Sequence, residues 1–497
     1  MNKTEQYITP FLPSFQSLFH GRKRLSRKEH LRREIEKIKS KQLWEFRRLF
    51  SQWIPAGELS SACSGKNSRS RVYNLEITFW AFLNQVFLGG ASCRETVKKV
   101  QSWMLQRNRL LPSSSTSAYC QARSRLPLST LRNIFSHTAS ILDKSSTSNS
   151  HFHGREVKVV DGTGLSMPDT PKNQKKYPQN GMMKKGCGFP QIKMVAIFSL
   201  FNGTLLGWSE GNKRNGENTL FQKLWKFFKP GDIVLGDRGF CSYANMGFLS
   251  DRCVDSVFRL HQARPFNIGK GTKLGRNDRL VAWFRPRTKA KNWTRKEWNK
   301  LPSKLKIRLL KVPLSRKGFR TCEIILATTL TDEKKYTSDD LGKLYFKRWS
   351  IELFFRDIKI TMGMDILKSR TPEQIVKEIT MYAISYNIIR GLIRRAADMY
   401  QVDVDKISFK GTVQQLNQWL EVLVNEKHSL SKFRYIMAEF YKKMVDKLLP
   451  EREGRSEPRT KKRRAKNYNL MNKPRNKMVV DCHRNRTTKK NAFFALS

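Results

Sequence analysis

The stretch GREVKVVDGTGLSM, residues 154–167, marks where the character of the chain changes. Upstream, apolar residues recur at helical spacing. Here Val157, Val159 and Val160 make a short apolar run that ends on Asp161 and meets Gly162 and Gly164. That composition predicts a strand closed by a glycine turn, with a carboxylate at its end. Downstream, GFPQIKMVAIFSLFNGTLLGWSEG (188–211) reads as two strands joined through Asn202–Gly203, a favoured hairpin turn. NTLFQKLWKFF (218–228) has helix spacing. GDIVLGDRGFCSYANMGFLSDR (231–252) reads as strand, Asp237, turn and helix, and DSVFRL (255–260) as a fifth strand. Three antiparallel strands, a helix, a strand, a helix and a strand predict an α/β fold with a mixed sheet.

Working outward, residues 1–150 read as a basic helical domain. Within it, HGRKRLSRKEHLRREIEKIKSK (20–41) has helical spacing, and its mixed charges fit either i,i+4 pairing or DNA contact. YNLEITFWAFLNQVF (73–87) is a strongly apolar helix, and CRETVKKVQSWMLQ (93–106) is a second, capped by Ser92. Two short helices follow over 112–135, broken at Pro127. They suit helix-turn-helix docking and an ordinary bundle equally, so no recognition helix is assigned. On the other side, residues 151–261 form the first part of the core, and 262–332 a basic, tryptophan-studded, strand-rich insertion ending in KIRLLKVPL (306–314) and CEIILATTL (322–330). Residues 333–400 return to the core. They carry a helix that begins after Asp339–Asp340 and a long buried helix from Pro372. Residues 401–450 are helical and suit a dimer interface, and 451–497 form a basic tail.

The chain carries 96 Lys and Arg against 41 Asp and Glu, a formal net charge of +55 in 497 residues. Such self-repulsion is offset most simply by a polyanion with many phosphates, DNA or RNA. With 39% hydrophobic residues the chain should fold. An anionic membrane surface is the rival partner, but no apolar run approaches the length of a spanning helix, and no signal peptide is read at the N-terminus. The eight cysteines form no CxxC pair. Structural zinc and a disulfide framework are not expected, and a reduced cytosolic chain is.

A second stretch, YFKRWSIELFFRDIKI (345–360), supplies a glutamate. Tyr345, Arg348, Glu352 and Lys359 are 3, 4 and 7 residues apart. On a regular helix they fall within roughly 60° of arc, giving one polar face with an acid, two bases and a phenol. A charge-laced surface helix has the same pattern. The two upstream aspartates change its weight. Carboxylates at the ends of neighbouring strands can share a hard divalent cation, and a helical glutamate packed at the same sheet edge completes an oxygen-rich site. Two such ions about 4 Å apart can clamp the attacking and leaving oxygens of a phosphodiester. Carboxylates meet a phosphate favourably only across a cation.

These motifs resemble those of bacterial insertion-sequence transposases with an Asp-Asp-Glu triad. More narrowly they resemble the family with the signature Tyr-x2-Arg-x3-Glu-x6-Lys, insertion-sequence family four in the usual numbering. Tyr345, Arg348, Glu352 and Lys359 meet that spacing. DGTG at Asp161 and GDRGF around Asp237 match the two aspartate motifs, and YCQARSRLP (119–127) and RSEPRTKKRRAKNY (455–468) are similar to members' segments. The resemblance covers most of the chain. It implies a ribonuclease-H-like core interrupted by the β-rich insertion, flanked by helical N- and C-terminal regions. It also implies cut-and-paste transposition that depends on two Mg²⁺ ions, for which Mn²⁺ can substitute. Asp161, Asp237 and Glu352 would be the catalytic metal ligands. Tyr345, Arg348 and Lys359 would contact DNA phosphates near the scissile bond. The same resemblance implies hairpin formation on the DNA and an insertion aromatic against a flipped base, for which Trp283 and Trp298 are the candidates and core packing the competing role. Arg238, Thr163, Arg259, His261 and Arg264 are further residues that could approach DNA, with turn chemistry the alternative for Thr163 and Arg238. Partners would be double-stranded DNA, both terminal inverted repeats and target, and a second copy of the chain in a synaptic complex. Neither a membrane nor a nucleotide cofactor is implied, and the setting would be the bacterial cytoplasm at the nucleoid. A metal-dependent nuclease that never rejoins DNA would share the triad, and so would a non-catalytic DNA-binding relic, although a binder gains nothing from three mutually repelling acids.

Overall fold

The structure, a computed structural model, describes residues 50, 53–59, 71–87, 89–105, 111–144, 151–264, 271–313, 323–423, 429–450, 471–474 and 477–478. The basic stretch at 20–41 and nearly all of the tail from 451 lie outside the described residues. Among the described residues four α-helices precede the sheet: α1 (Leu75–Phe87), α2 (Cys93–Leu105), α3 (Ser117–Arg125) and α4 (Leu128–Lys144). Ser92 caps α2 as expected: its hydroxyl accepts from the Glu95 N–H at 3.1 Å, and its own N–H donates to Glu95 Oε2 at 2.6 Å.

The core follows as β1 (Val157–Ser166), α5 (Pro171–Lys176), β2 (Gln191–Ser199), β3 (Leu205–Asn212), α6 (Glu217–Gln222), β4 (Ile233–Gly236), α7 (Tyr243–Asp251) and β5 (Asp255–Arg259). Next come β6 (Thr272–Gly275), β7 (Asp278–Phe284), α8 (Arg295–Lys300), β8 (Lys304–Pro313) and β9 (Glu323–Thr328). The chain then returns through α9 (Ser338–Lys347), α10 (Ser350–Arg356), α11 (Pro372–Tyr400), α12 (Phe409–Leu423) and α13 (Leu430–Val445). Among the described residues the strands form one nine-stranded sheet, ordered β3-β2-β1-β4-β5-β9-β8-β7-β6. β1 pairs antiparallel with β2 and parallel with β4, and β4 pairs parallel with β5. This is a mixed α/β core with a central sheet flanked by helices, consistent with the ribonuclease-H-like fold. The strand-rich insertion is no separate sheet: β9 pairs antiparallel with β5, so β6–β9 extend the core sheet.

Strand alternation divides the core into two layers. Val157 and Val159 of β1, with Ile192, Met194 and Ala196 of β2, face the layer of α9, α10 and α11. Val160, Val195, Ile197 and Val234 face α6, α7 and the insertion tryptophans. α11 is started by Thr371, whose hydroxyl accepts from the Gln374 N–H, with Pro372 at the first turn, and it ends on Gln401 at φ 52°. Its side chains from Ile375 to Ala397 are almost all buried. Burying each Leu, Ile or Val of that run is worth ~1.5–3 kcal/mol, which makes this helix the base on which the glutamate segment rests.

Two expectations need correction. β1 does not end at Asp161. It runs five residues further, with Gly162 opposite Val195 and Gly164 opposite Lys193 on β2. Its pairing with β4 stops at Val159–Leu235, so Asp161 stands where β1 outruns its parallel neighbour. Nor do Tyr345, Arg348, Glu352 and Lys359 share one regular helix. α9 ends at Lys347, and the Glu352 N–H bonds back three residues to the Trp349 carbonyl. Residues Asp357–Thr361 then widen into a π-turn, where the Met362 N–H reaches the Asp357 carbonyl five residues earlier.

Candidate active site

β1 and β4 end their parallel pairing at Val159–Leu235, and Asp161 and Asp237 each lie two residues beyond that last pair, close enough for the Asp237 charge to act on Asp161. Asp161 Oδ1 accepts its neighbour Gly162 N–H at 2.7 Å, and Asp237 Oδ1 accepts the Gly239 N–H at 2.8 Å. Burial pushes the Asp161 carboxyl up to about 6, with the charges of Asp237 and Glu217 adding to the rise and the Gly162 hydrogen bond and Arg348 opposing it. That shift has the sign expected for neighbouring acids held partly out of water.

Arg348 stands between the acids. Its side chain is 9% exposed, with Nη1 at 3.5 Å from Asp161 Oδ2 and Nη2 at 3.9 Å from Glu352 Oε1. Its Nε is buried and makes no hydrogen bond. The Glu352 side chain is 64% exposed on the first turn of α10. Lys359 Nζ donates to Thr163 Oγ1 at 3.0 Å, on the same face of β1 as Asp161. Burial lowers the pKa of Lys359. The π-turn is fixed by Asp357, whose carboxylate accepts from Arg390 of α11 at 3.0 Å in a buried pair. Tyr345 is 2% exposed and lies beneath the site, not on a polar face. Its hydroxyl donates to the Gly236 carbonyl at 3.3 Å, one residue before Asp237, and burial raises its pKa to about 12.

Arg238 is exposed and donates to Gln262 Oε1 at 2.8 Å. His261 accepts the Ala263 N–H at 3.2 Å and lines a cleft of about 420 Å³ between the Asp237 turn and the insertion. Trp298 is 4% exposed, donates to the Pro286 carbonyl at 3.1 Å and meets Trp293 edge-on within an aromatic core that includes Trp225 and Phe248. Trp283 on β7 is half-buried, with the Arg264 guanidinium 4.0 Å above its ring. Of the two candidate stacking residues, Trp283 offers the more accessible ring and Trp298 is built into the core. The sequence reading missed Glu217. The glutamate sits one residue before the helical pattern at 218–228, and only the fold brings its charge to bear on Asp161.

Among the described residues, no three His, Cys, Asp or Glu side chains form a ready metal cluster. The donor chemistry nevertheless fits a hard divalent cation. The negative groups acting on Asp161 are all carboxylates, with neither histidine nor cysteine among them. A half-paired, nine-tenths buried arginine between two of these acids fits an arriving phosphate oxygen.

Residues 152–388 match the family described as transposase DDE domain. Over 422 residues the chain is 28% identical to the transposase InsG for insertion sequence element IS4 of Escherichia coli (strain K12), spanning 83% of this chain and 91% of that protein. Among solved structures, a cryo-EM piggyBac transposase synaptic complex with hairpin DNA matches with a TM-score of 0.42 and 10% identity, over 83% of this chain and 86% of that one.

Proposed function

We propose that this chain, which carries a transposase DDE domain related to that of IS4-family transposases, is a cut-and-paste DNA transposase that cleaves at the inverted repeats of an insertion sequence. Release of a 3′-hydroxyl by hydrolysis, its attack on the opposite strand to form a hairpin, a second hydrolysis that opens the hairpin and frees the 3′-hydroxyl again, and the joining of that hydroxyl to target DNA are each in-line displacements at phosphorus, so one site can serve them all. The observation that supports this reading is that Asp161 and Asp237 each lie two residues beyond the last β1–β4 pair, with Arg348 between Asp161 and Glu352.

Asp161, Asp237 and Glu352 would hold Mg²⁺ or Mn²⁺, two ions in the full reading. When bound, these ions lower the pKa of an attacking water and neutralise charge on the leaving oxygen. The rest falls to the chain's own side chains. Arg348 offers a guanidinium already desolvated at the acids, suited to a non-bridging phosphate oxygen. Lys359, steered by Thr163, brings a second positive charge to the same face of β1. Tyr345 acts from below by holding the Gly236 carbonyl and so the start of the Asp237 turn. Arg238, His261, Arg264 and Trp283 border the cleft or lie near it, where a displaced strand or base would pass. The partners are double-stranded DNA and a second copy of the chain, in the bacterial cytoplasm. Among the described residues, no helix is long and apolar enough to cross a membrane.

The test is strand-resolved electrophoresis of duplexes taken from the element's own ends, with Mg²⁺ or with EDTA, for the wild type and Glu352→Gln. Nicks and hairpins that need metal and vanish in E352Q are expected, followed by joined products. Cleavage without joining would assign a nuclease. Binding without cleavage in either protein, across several metals, would assign a DNA-binding relic, and cleavage indifferent to E352Q would overturn the site.

A further inference from the structure

Glu217 opens α6, on the opposite side of the sheet from Glu352. Its carboxylate lies over Gly162: a Cβ built on that glycine would meet Glu217 Oε1 at 2.9 Å and Cδ at 3.0 Å. Gly162 directly follows Asp161 and donates to its Oδ1. The next residue of α6 reaches the other aspartate's turn. Asn218 Nδ2 donates to the Gly239 carbonyl at 3.1 Å, while the Gly239 N–H donates to Asp237 Oδ1 at 2.8 Å. Asn245 of α7 fixes that arrangement, donating to Asn218 Oδ1 at 2.8 Å. The first turn of α6 is therefore anchored astride the ends of β1 and β4.

Glu217 itself has no hydrogen-bond or ion-pair partner among the described residues, in a chain where 96 basic residues face 41 acidic ones. An acid left unpaired beside another acid costs stability unless a cation joins them. A second observation points to a ligand at Asp161, the acid on which the Glu217 charge acts. Arg348, nine-tenths buried, reaches Asp161 Oδ2 at 3.5 Å and Glu352 Oε1 at 3.9 Å with its Nε unpartnered.

We propose that Glu217 is a fourth carboxylate of this site, binding the same hard divalent cations as Asp161 and Asp237 from the face opposite Glu352. This rests on the metal reading of the site given above. Four carboxylates would offset two divalent cations and leave Arg348 free for the phosphate. Gly162 is then required because any side chain there would push the Glu217 carboxylate away.

The experiment is a Mn²⁺ titration of the full-length chain. Free Mn²⁺ is read by electron paramagnetic resonance for the wild type, Glu217→Gln, Gly162→Ala and Asp161→Asn. Glu217→Gln and Gly162→Ala should each weaken Mn²⁺ binding by roughly 10–100-fold, the range for losing a group that supports a metal, or remove one bound ion. In EDTA, Glu217→Gln should melt at or above the wild type because a like charge is gone, whereas a merely structural glutamate would leave a protein that melts lower. Wild-type titrations for both variants, alongside lost binding in Asp161→Asn, would overturn the role of Glu217 and leave the site standing. Mn²⁺ binding by Asp161→Asn equal to wild type, or none by the wild type, would overturn both readings together.

Discussion

Asp161→Asn should make the metal-free protein more stable at neutral pH. The carboxyl's ordinary value of 3.8 is raised to about 6, chiefly by burial and then by Asp237 and Glu217. Below about pH 4 the group is protonated in both folded and unfolded chains and costs nothing. Between about pH 4 and 6 the unfolded chain loses its proton while the folded one keeps it, so stability falls as pH rises. Above about pH 6 the loss is complete. A rise of this size corresponds to about 3 kcal/mol. That is a ceiling, since the Asp161 side chain is 26% exposed and water screens part of the repulsion. The attraction of Arg348 is already contained in the net rise. For a chain of this length the unfolding entropy is about 1 kcal/mol per degree, so the melting temperature should rise by up to about 3 °C. Calorimetry or circular dichroism in EDTA at pH 7.5 and pH 4.5 reads the difference. Most of the gain should vanish at the lower pH, and Mg²⁺ should raise the melting temperature of the wild type more than that of the variant. A variant that melts at or below the wild type at pH 7.5, or a gap equal at both pH values, would refute the electrostatic account.

Three further outcomes are expected. Tyr345→Phe should cost about 0.5–1.5 kcal/mol through its lost hydrogen bond to the Gly236 carbonyl and leave affinity for terminal DNA unchanged in gel-shift titrations; lost affinity at unchanged stability would return the phenol to a phosphate. Trp298→Ala should destabilise by about 3–5 kcal/mol as a core truncation, while Trp283→Ala should cost about 1 kcal/mol or less and act mainly on DNA, which paired melting curves and strand-opening assays would separate. Thr163→Val should lower the cleavage rate through Lys359, whose ammonium it positions, and in a Lys359→Met background it should add little; full additivity in a double-mutant cycle would deny the coupling.

The sequence revealed what local chemistry decides. Asn202–Gly203 marks the β2–β3 hairpin, with Gly203 at φ 64°. Asp237 directly follows β4, and Thr371–Pro372 starts α11. The order of strands and helices along the core could be read from apolar runs and glycine punctuation. What stayed hidden was set by partners distant in the chain. Gly162 and Gly164 carry the composition of a turn, yet nine rungs of pairing with β2 keep β1 extended through them. The insertion strands read correctly as strands, but pairing between β5 and β9 joins residues about seventy positions apart, and no local pattern encodes such a pairing.

Tyr345 shows most clearly why periodicity alone misplaces a candidate side chain. A helical wheel fixes an angle about an axis, and at that angle the phenol, Arg348, Glu352 and Lys359 share a face. The wheel assumes constant winding and says nothing of what lies opposite. Here the winding tightens at Arg348–Glu352 and loosens at Asp357–Thr361, and the end of β4 lies against Tyr345. The ring is therefore buried, Arg348 is held at the boundary, and Glu352 faces solvent. The same argument explains Glu217. No spacing rule links it to Asp161, because their meeting depends on a glycine that leaves room and on an asparagine that ties α6 to the Asp237 turn. Motif spacing can identify the acids on one continuous segment, but an acid arriving from the other face of the sheet becomes visible only once strand register is known.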